Sequence, residues 1–214
     1  MLALRDIVDF WAGQQAKSSN GEWSHKLDRP KFTADNHGFH LSFPVSPYIG
    51  NILEAPVIML NLNGGYDPLM TPAEFASPGA DEAYLMRVAQ PADGDWTFVS
   101  EYYDALHYGQ YIRSGRIALI NACAYRSSNL PAGSPARAVA ESLPSVAFHR
   151  QWLSEALVPA ARSGNRVIVA NRWGLWNIKP AEKSAIIFDP APVSPHISKV
   201  TWPKIWTAFD QLKQ

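Results

Sequence analysis

The most chemically suggestive part of this sequence is a polar loop that follows an apolar run. The run from Pro56 to Leu62 is β-branched and aliphatic, and it stops in the loop Asn63-Gly64-Gly65-Tyr66-Asp67-Pro68. The amide of Asn63 can hold a reactant by hydrogen bonds, and the carboxylate of Asp67 can accept a proton. The loop therefore contains two candidate catalytic side chains, although Asp-Pro after two glycines is also typical of an ordinary turn.

Three further apolar runs predict strands that would position this loop. They cover residues 116–121, 166–170 and 185–188, and the first of them ends in Asn121. Short apolar runs that alternate with helical patterns favour a parallel sheet with helices on both faces. We therefore predict a three-layer α/β/α fold with a central four-stranded parallel sheet, in which ligands bind at the carboxyl ends of the strands.

The segments between these runs predict the rest of the architecture. Helical spacing of apolar residues indicates helices near residues 1–10, 81–89, 98–111, 148–161 and 202–212. Alternation over 39–43 favours a short edge strand or an extended segment. The three prolines and several serines of 127–144 are typical of an exposed loop. A length of 214 residues suits a single domain, 1–214, with residues 1–46 as an N-terminal helix and irregular arm packed on it.

Composition narrows the class of protein. Nineteen basic and nineteen acidic side chains give a formal net charge of zero, so any contact with DNA must come from a local patch. The absence of a long uncharged apolar run argues against a membrane span, and charged residues within the first ten argue against a secretory signal. We expect a cytoplasmic monomer without a cofactor. Cys123 is the only cysteine, which excludes an internal disulfide and a cysteine-cluster metal site.

Three of the predicted strand ends together resemble the uracil-DNA glycosylase superfamily, over roughly Pro47 to the C terminus. The segment Leu60-Asn-Leu-Asn-Gly-Gly65 is similar to the Gly-x-Asn-Pro-Gly motif of the mismatch-specific and single-strand-selective branches, with Asn61 and Gly64 replacing the glycine and proline. Ala118 to Ala124 resembles the second strand, and the loop from Ile186 to Lys199 takes the place of the His-Pro-Ser loop, with longer spacing.

This resemblance implies a uracil-DNA glycosylase-like fold and a role for each matching residue. Asn63 would position the attacking water, Asp67 could activate it, and His196 could donate a hydrogen bond to the departing base. Asn121 would bond the base edge, and the base would stack on an aromatic ring. The aromatic candidates are Tyr66, Phe98 and Tyr103, and the candidate contacts to DNA phosphates are Arg126, Ser127, Ser198 and Lys199.

The function predicted from these residues is a DNA glycosylase that removes uracil or a modified pyrimidine from single- or double-stranded DNA and leaves an abasic site. Such an enzyme must flip its target base out of a duplex, or act on single strands. The changed motifs leave repair and antiviral defence open as its biological role. They also leave open a module that binds modified or single-stranded DNA without cutting it, and a different α/β hydrolase or nucleotide-binding protein. The last is weakened because no phosphate-binding Gly-x-x-x-x-Gly-Lys loop or Gly-x-Ser-x-Gly elbow is present.

Overall fold

The computed structural model describes residues 1–32, 37–96, 100–191 and 196–212. Its strands are β1 (Gln15–Lys17), β2 (Trp23–His25), β3 (Tyr48–Ile49), β4 (Val57–Gly65), β5 (Ile117–Ser127), β6 (Val167–Ala170) and β7 (Ile186–Phe188). Its helices are α1 (Asp6–Trp11), α2 (Met70–Glu74), α3 (Ala80–Ala89), α4 (Glu101–Ala105), α5 (Gly109–Arg113), α6 (Pro135–Ser142), α7 (Pro144–Trp152), α8 (Val158–Arg162) and α9 (Thr201–Phe209). A π-helical turn, Leu153–Leu157, joins α7 to α8.

Five strands form the main sheet in the order β3-β5-β4-β6-β7. β4 pairs parallel to β5 and β6, and β6 pairs parallel to β7. The prediction of a mixed α/β fold with a mostly parallel sheet between helices is therefore confirmed. The sheet has five strands where four were predicted, because the two-residue strand β3 pairs antiparallel to β5 at its edge. So short a strand leaves no periodic pattern in the sequence.

Two hydrophobic clusters cover the two faces of the sheet. Alternate residues of β4 and β5 point to opposite faces, so Val57 and Met59 belong to one cluster while Ile58 and Leu60 belong to the other. Helices α1, α3 and α7 supply residues to the second cluster, and α5 and α9 supply residues to the first. Because both faces are covered, these strands read as continuous apolar runs rather than as an alternating pattern.

Three predicted elements differ from the structure. The exposed loop predicted over 127–144 contains α6, whose first residue is Pro135 and whose N-cap, Ser134, accepts a hydrogen bond from the Arg137 N–H at 3.1 Å. The single helix predicted over 98–111 is two short helices, α4 and α5, separated near His107, which has a φ of +63°. The edge strand expected over 39–43 is a turn, and β3 takes the edge position instead. In the described part of the chain, no helix has the length and apolar character that crossing a bilayer requires.

A glycine allows the carboxyl end of β4 to lie close to β5. The register between the two strands shifts after Asn63, which pairs with Cys123, so that Gly64 pairs with Arg126. A Cβ atom on Gly64 would lie 2.8 Å from the carbonyl oxygen of Ala124, whereas one on Gly65 would meet its nearest atom, in Tyr102, at 3.4 Å. Only the first of these glycines is required by close backbone approach.

We predict that Gly64→Ala destabilises the protein by roughly 1–3 kcal/mol, because the added methyl group must push β4 away from β5. Gly65→Ala is the matched control and should change the free energy of unfolding by less than about 1 kcal/mol, since its methyl group enters ordinary contact distance. Urea unfolding of the two variants and the wild type measures the difference. Equal stabilities for the two variants would contradict the close approach.

Candidate active site

A small pocket of about 20 Å³ lies at the carboxyl ends of β4 and β6, where the sequence predicted ligand binding. Asn61 and Asn63 enter it from β4, because the odd-numbered residues of this strand face the same side of the sheet. The remaining wall comes from α4, from the segment that leads into α5, and from the residues after β6. It consists of Gly65, Tyr102, Tyr103, Leu106, Tyr108 and Arg172.

Asn63 is held in one orientation by its neighbour on β5. Its Nδ2 donates to the Oγ of Ser127 at 2.9 Å, to the carbonyl oxygen of Ser127 at 3.0 Å and to that of Gly64 at 2.9 Å. Its Oδ1 is buried and accepts no hydrogen bond from any residue that the structure describes. Leaving a buried acceptor unsatisfied costs about 1–3 kcal/mol, so this oxygen is suited to accept from a water or a ligand.

Asn121 lies beside Asn61 across the β4–β5 register and faces the same side of the sheet. Its side chain is fully buried, and its Nδ2 donates to the carbonyl oxygen of Ser46 at 2.7 Å. Like the corresponding atom of Asn63, its Oδ1 has no hydrogen-bond partner in the described ranges. The fold thus places two fixed amides with unoccupied oxygens on the same face of adjacent strands. Asn63 lines the pocket, whereas Asn121, in the middle of β5, is fully buried and is not part of the lining.

Tyrosines form the aromatic wall of the pocket. The Tyr102 ring lies over Gly65, and burial raises the pKa of Tyr102 above its usual value. Tyr103 is 5% exposed and packs perpendicular to Tyr102, with ring centroids 5.1 Å apart. The Tyr108 hydroxyl accepts a hydrogen bond from Asn171 Nδ2 at 3.2 Å, and burial raises its pKa as well. These phenols are therefore neutral, and the wall offers flat apolar faces with polar hydroxyl tips.

Arg172 is the cation of the pocket. It follows β6 directly, and among the described residues its guanidinium forms no ion pair. The backbone N–H groups of Asn171 and Arg172 both donate to the carbonyl oxygen of Leu60 at 3.2 Å, which fixes this turn against β4. A partly exposed guanidinium without an acidic partner is available to bind an anionic ligand group.

Asp67 occupies the start of α2. Its Oδ1 accepts from the backbone N–H groups of Leu69 and Met70, each at 2.8 Å, and its own N–H donates to Thr71 Oγ1 at 3.1 Å. These backbone bonds lower the pKa of Asp67, so the carboxylate is ionised at neutral pH. Asp67 is not among the residues that line the pocket. Both the turn role and the catalytic role predicted from the sequence remain compatible with this position.

Two other predicted residues are engaged inside the protein. Arg126 is 5% exposed; its Nε donates to the carbonyl oxygen of Pro44 at 3.1 Å and its Nη1 lies 3.9 Å from the Glu74 carboxylate. Burial raises the pKa of Glu74 and Arg126 opposes that rise. Ser127 is 2% exposed and holds Asn63. We therefore leave Arg126 and Ser127 out of the proposed phosphate contacts.

Tyr66 is turned away from the pocket lining. Its ring stacks on His40 with centroids 3.4 Å apart and an interplanar angle of 10°. Phe98 lies outside the described residues. Of the three aromatic residues predicted to stack on a base, Tyr103 is thus the one that the structure places in the pocket wall.

The loop before α9 lies at the rim of the pocket. His196 is exposed, with its ring centroid 6.4 Å from that of His107, and the backbone of the next residue, Ile197, hydrogen-bonds the Tyr108 hydroxyl. The N–H of Ser198 donates to Asp189 Oδ2 at 2.8 Å, which ties this loop to the end of β7. Lys199 is exposed. The catalytic role predicted for His196 and the phosphate contacts predicted for Ser198 and Lys199 remain predictions.

Sequence reasoning missed Tyr102, Tyr108 and Arg172 as pocket residues. The pair Asn171-Arg172 follows an apolar run in the same way as Asn63 follows Leu62, so its position at a strand end was a usable signal. The tyrosines carried no such signal, because they come from helical segments that pack over the edge of the sheet.

Comparison of the chain with protein-family models, with curated proteins and with solved structures gave no match. The pocket itself is therefore the basis for a functional proposal.

A buried histidine supports the strand that carries Asn121. His149 Nδ1 donates to the carbonyl oxygen of Asn121 at 2.7 Å, and its Nε2 accepts from Trp11 Nε1 at 2.8 Å. This pattern requires the neutral ring, and burial lowers the pKa of His149 to about 4. In the unfolded chain the same group titrates near its ordinary value of 6.5.

We predict that stability falls as the pH drops from about 6.5 to about 4, because the unfolded chain then binds a proton that folded His149 does not. Neutral His149 contributes about 3 kcal/mol to the free energy of unfolding. This contribution is fully present above pH 6.5 and is lost as the pH falls to about 4. Urea unfolding at a series of pH values should show that the free energy of unfolding changes less steeply with pH in His149→Gln than in the wild type. An unchanged slope in His149→Gln would disprove the assignment.

Proposed function

We propose that this protein is a DNA glycosylase, which hydrolyses the bond between deoxyribose and uracil or a modified pyrimidine and leaves an abasic site. The main support is the pair of fixed amides, Asn63 and Asn121, whose buried oxygens have no partner in the described part of the chain. The unoccupied acceptor of Asn63 in an aromatic-walled pocket, with that of Asn121 on the neighbouring strand, suits a flat ligand that carries N–H donors and arrives with a water molecule. A uracil-DNA glycosylase-like fold is part of this proposal.

The chemistry divides among the residues of the pocket. Hydrolysis of this bond builds positive charge on the sugar and negative charge on the leaving base, so water must be delivered to one side and the base stabilised on the other. Asn63 Oδ1 accepts a hydrogen bond from the water and orients it. Asp67, ionised at neutral pH, takes its proton. Asn121 bonds the edge of the base with Oδ1 and the second Nδ2 hydrogen, and Tyr102 and Tyr103 cover its face.

The substrate reaches the pocket from outside the duplex. The pocket volume of about 20 Å³ holds one water molecule, so a single base enters only when the tyrosine wall opens, and a base pair does not fit. DNA would therefore present the target as a flipped or single-stranded nucleotide. His196 at the rim donates to the carbonyl oxygen of the departing base, and Lys199 and Ser198 contact the strand beside it.

A non-catalytic reader of modified or single-stranded DNA is the second candidate. The observation that favours it is the position of Asp67, whose Oδ1 already caps α2. If this carboxylate only caps the helix, the pocket binds a base without a group that activates water. The two candidates differ in one product, the free base.

We predict that the purified protein releases a base from oligonucleotides that contain uracil or one of a panel of modified pyrimidines, read out as strand breaks after alkaline cleavage. Asn63→Ala should lower the rate of release at least 100-fold, because the water loses its acceptor. The matched control is Asn165→Ala, which removes an exposed asparagine at the opposite end of β6 and should leave the rate unchanged. Binding without release on every substrate would replace the glycosylase with the reader.

We predict that Asp67→Asn lowers the rate of base release by a factor of roughly 10²–10⁴ while stability changes little. Asparagine caps a helix about as well as aspartate, so this change removes the base and keeps the cap. Single-turnover release and urea unfolding separate the two roles. An unaltered rate would leave Asp67 as a capping residue only.

A further inference from the structure

A second cavity lies on the other side of Arg172. It is an open cavity of about 360 Å³, more apolar than the first. It is lined by Leu62, Asn129, Leu130, Pro131, Ala132, Arg137, Arg172, Trp173 and Gly174. Leu62 and Asn63 are consecutive residues of β4 whose side chains point to opposite faces of the sheet. The two cavities therefore lie on opposite sides of the same sheet edge, and Arg172 lines both.

The wall that carries Trp173 is held rigidly. Arg137 donates from Nη2 to the carbonyl oxygen of Gly174, and its Nε bonds Glu141 at 2.8 Å. Arg150 Nε donates to the carbonyl oxygen of Leu175 at 2.8 Å. A loop fixed on both sides presents its side chains in a defined arrangement before any ligand arrives.

Trp173 is 36% exposed within this rigid loop. Phe188 packs perpendicular to it, with centroids 5.4 Å apart, which fixes the plane of the indole. An exposed, immobilised indole at the edge of an apolar cavity is a stacking surface for a flat ligand. Next to it, Arg172 has no acidic partner among the described residues, so an anionic group is favoured between the two cavities.

We propose that the cavity of Trp173 binds the nucleotide next to the target nucleotide in the same DNA strand. The neighbouring base stacks on Trp173, and the phosphate that joins the two nucleotides lies on Arg172. This inference rests on the proposed function for the identity of the strand. Because the neighbouring base must leave its own stack to reach Trp173, the ligand is single-stranded or locally opened DNA rather than an intact duplex.

The test is a double-mutant cycle between Trp173 and the neighbouring base. Binding is measured by fluorescence anisotropy on the Asn63→Ala background, so that the strand stays uncut. The labelled single strands carry uracil, or the base released in the excision assay, and in two of them an abasic spacer replaces the base on the 5′ or the 3′ side of the target. Each strand is bound to the protein with Trp173 and to its Trp173→Ala counterpart.

We predict that Trp173→Ala weakens binding of the complete strand roughly ten-fold, and that the spacer on one side weakens binding to the Trp173 protein by a similar factor. The two losses should not multiply, since each removes the same contact. Trp173→Phe should retain most of the affinity. Met86→Ala, at a 57% exposed apolar residue of α3 that lines neither cavity, is the control and should bind as the parent does.

The role of Arg172 has its own readout. Arg172→Gln should weaken binding and reduce the slope of affinity against salt concentration by about one ion, whereas Lys204→Gln on α9 should change neither. The neighbouring-nucleotide site would be overturned if the affinity losses from Trp173→Ala and from the abasic spacer multiplied fully. It would also be overturned if the spacer had no effect on either side of the target. If the effects of Trp173→Ala and the spacer are coupled but no base is released, the neighbouring-nucleotide site is upheld and the glycosylase is rejected. If base is released but the two effects are independent, the glycosylase is upheld and the neighbouring-nucleotide site is rejected.

Discussion

The close approach of β4 to β5 at Gly64 is the constraint on which the candidate site depends. Without a side chain at Gly64, the end of β4 can lie against the Ala124 carbonyl, and the register shift then brings Asn63 within reach of Ser127. The bonds from Nδ2 to Ser127 turn the amide so that its oxygen faces away from any protein donor in the described ranges. A backbone contact thus determines the chemistry that the strand end can offer.

Some polar groups near the site are fully bonded within the protein, whereas others remain able to bind a ligand. Arg126 and Asp67 are ionisable, yet the guanidinium of Arg126 is surrounded by Pro44, Glu74 and aromatic rings, and one Asp67 oxygen is saturated by backbone N–H groups. Asn63, Asn121 and Arg172 keep unused hydrogen-bonding capacity. Burial of an unused polar group is unfavourable, so the unsatisfied Asn63 oxygen in the lining of the pocket is more consistent with ligand binding than with a purely structural role.

Arg172 lines both cavities and lies between them. A cation shared by a small pocket with amides and a larger cavity with an exposed indole suits a ligand that is charged in its middle and flat at both ends. A dinucleotide step of a single strand has this form. The neutral overall charge of the chain makes such local placement important, because long-range attraction of DNA by net charge is absent.

The sequence by itself determined the four parallel strands of the main sheet, the mixed α/β class and the edge of the sheet where polar side chains collect, because buried parallel strands read as apolar runs with polar ends. It also identified Asn63 and Asn121, since both directly end or follow such runs. It did not reveal that Arg126 is buried, that Ser127 serves Asn63, or that Tyr102 and Arg172 complete the pocket. Those facts depend on contacts between residues far apart in the chain, and local patterns carry no information about which distant group will satisfy a side chain.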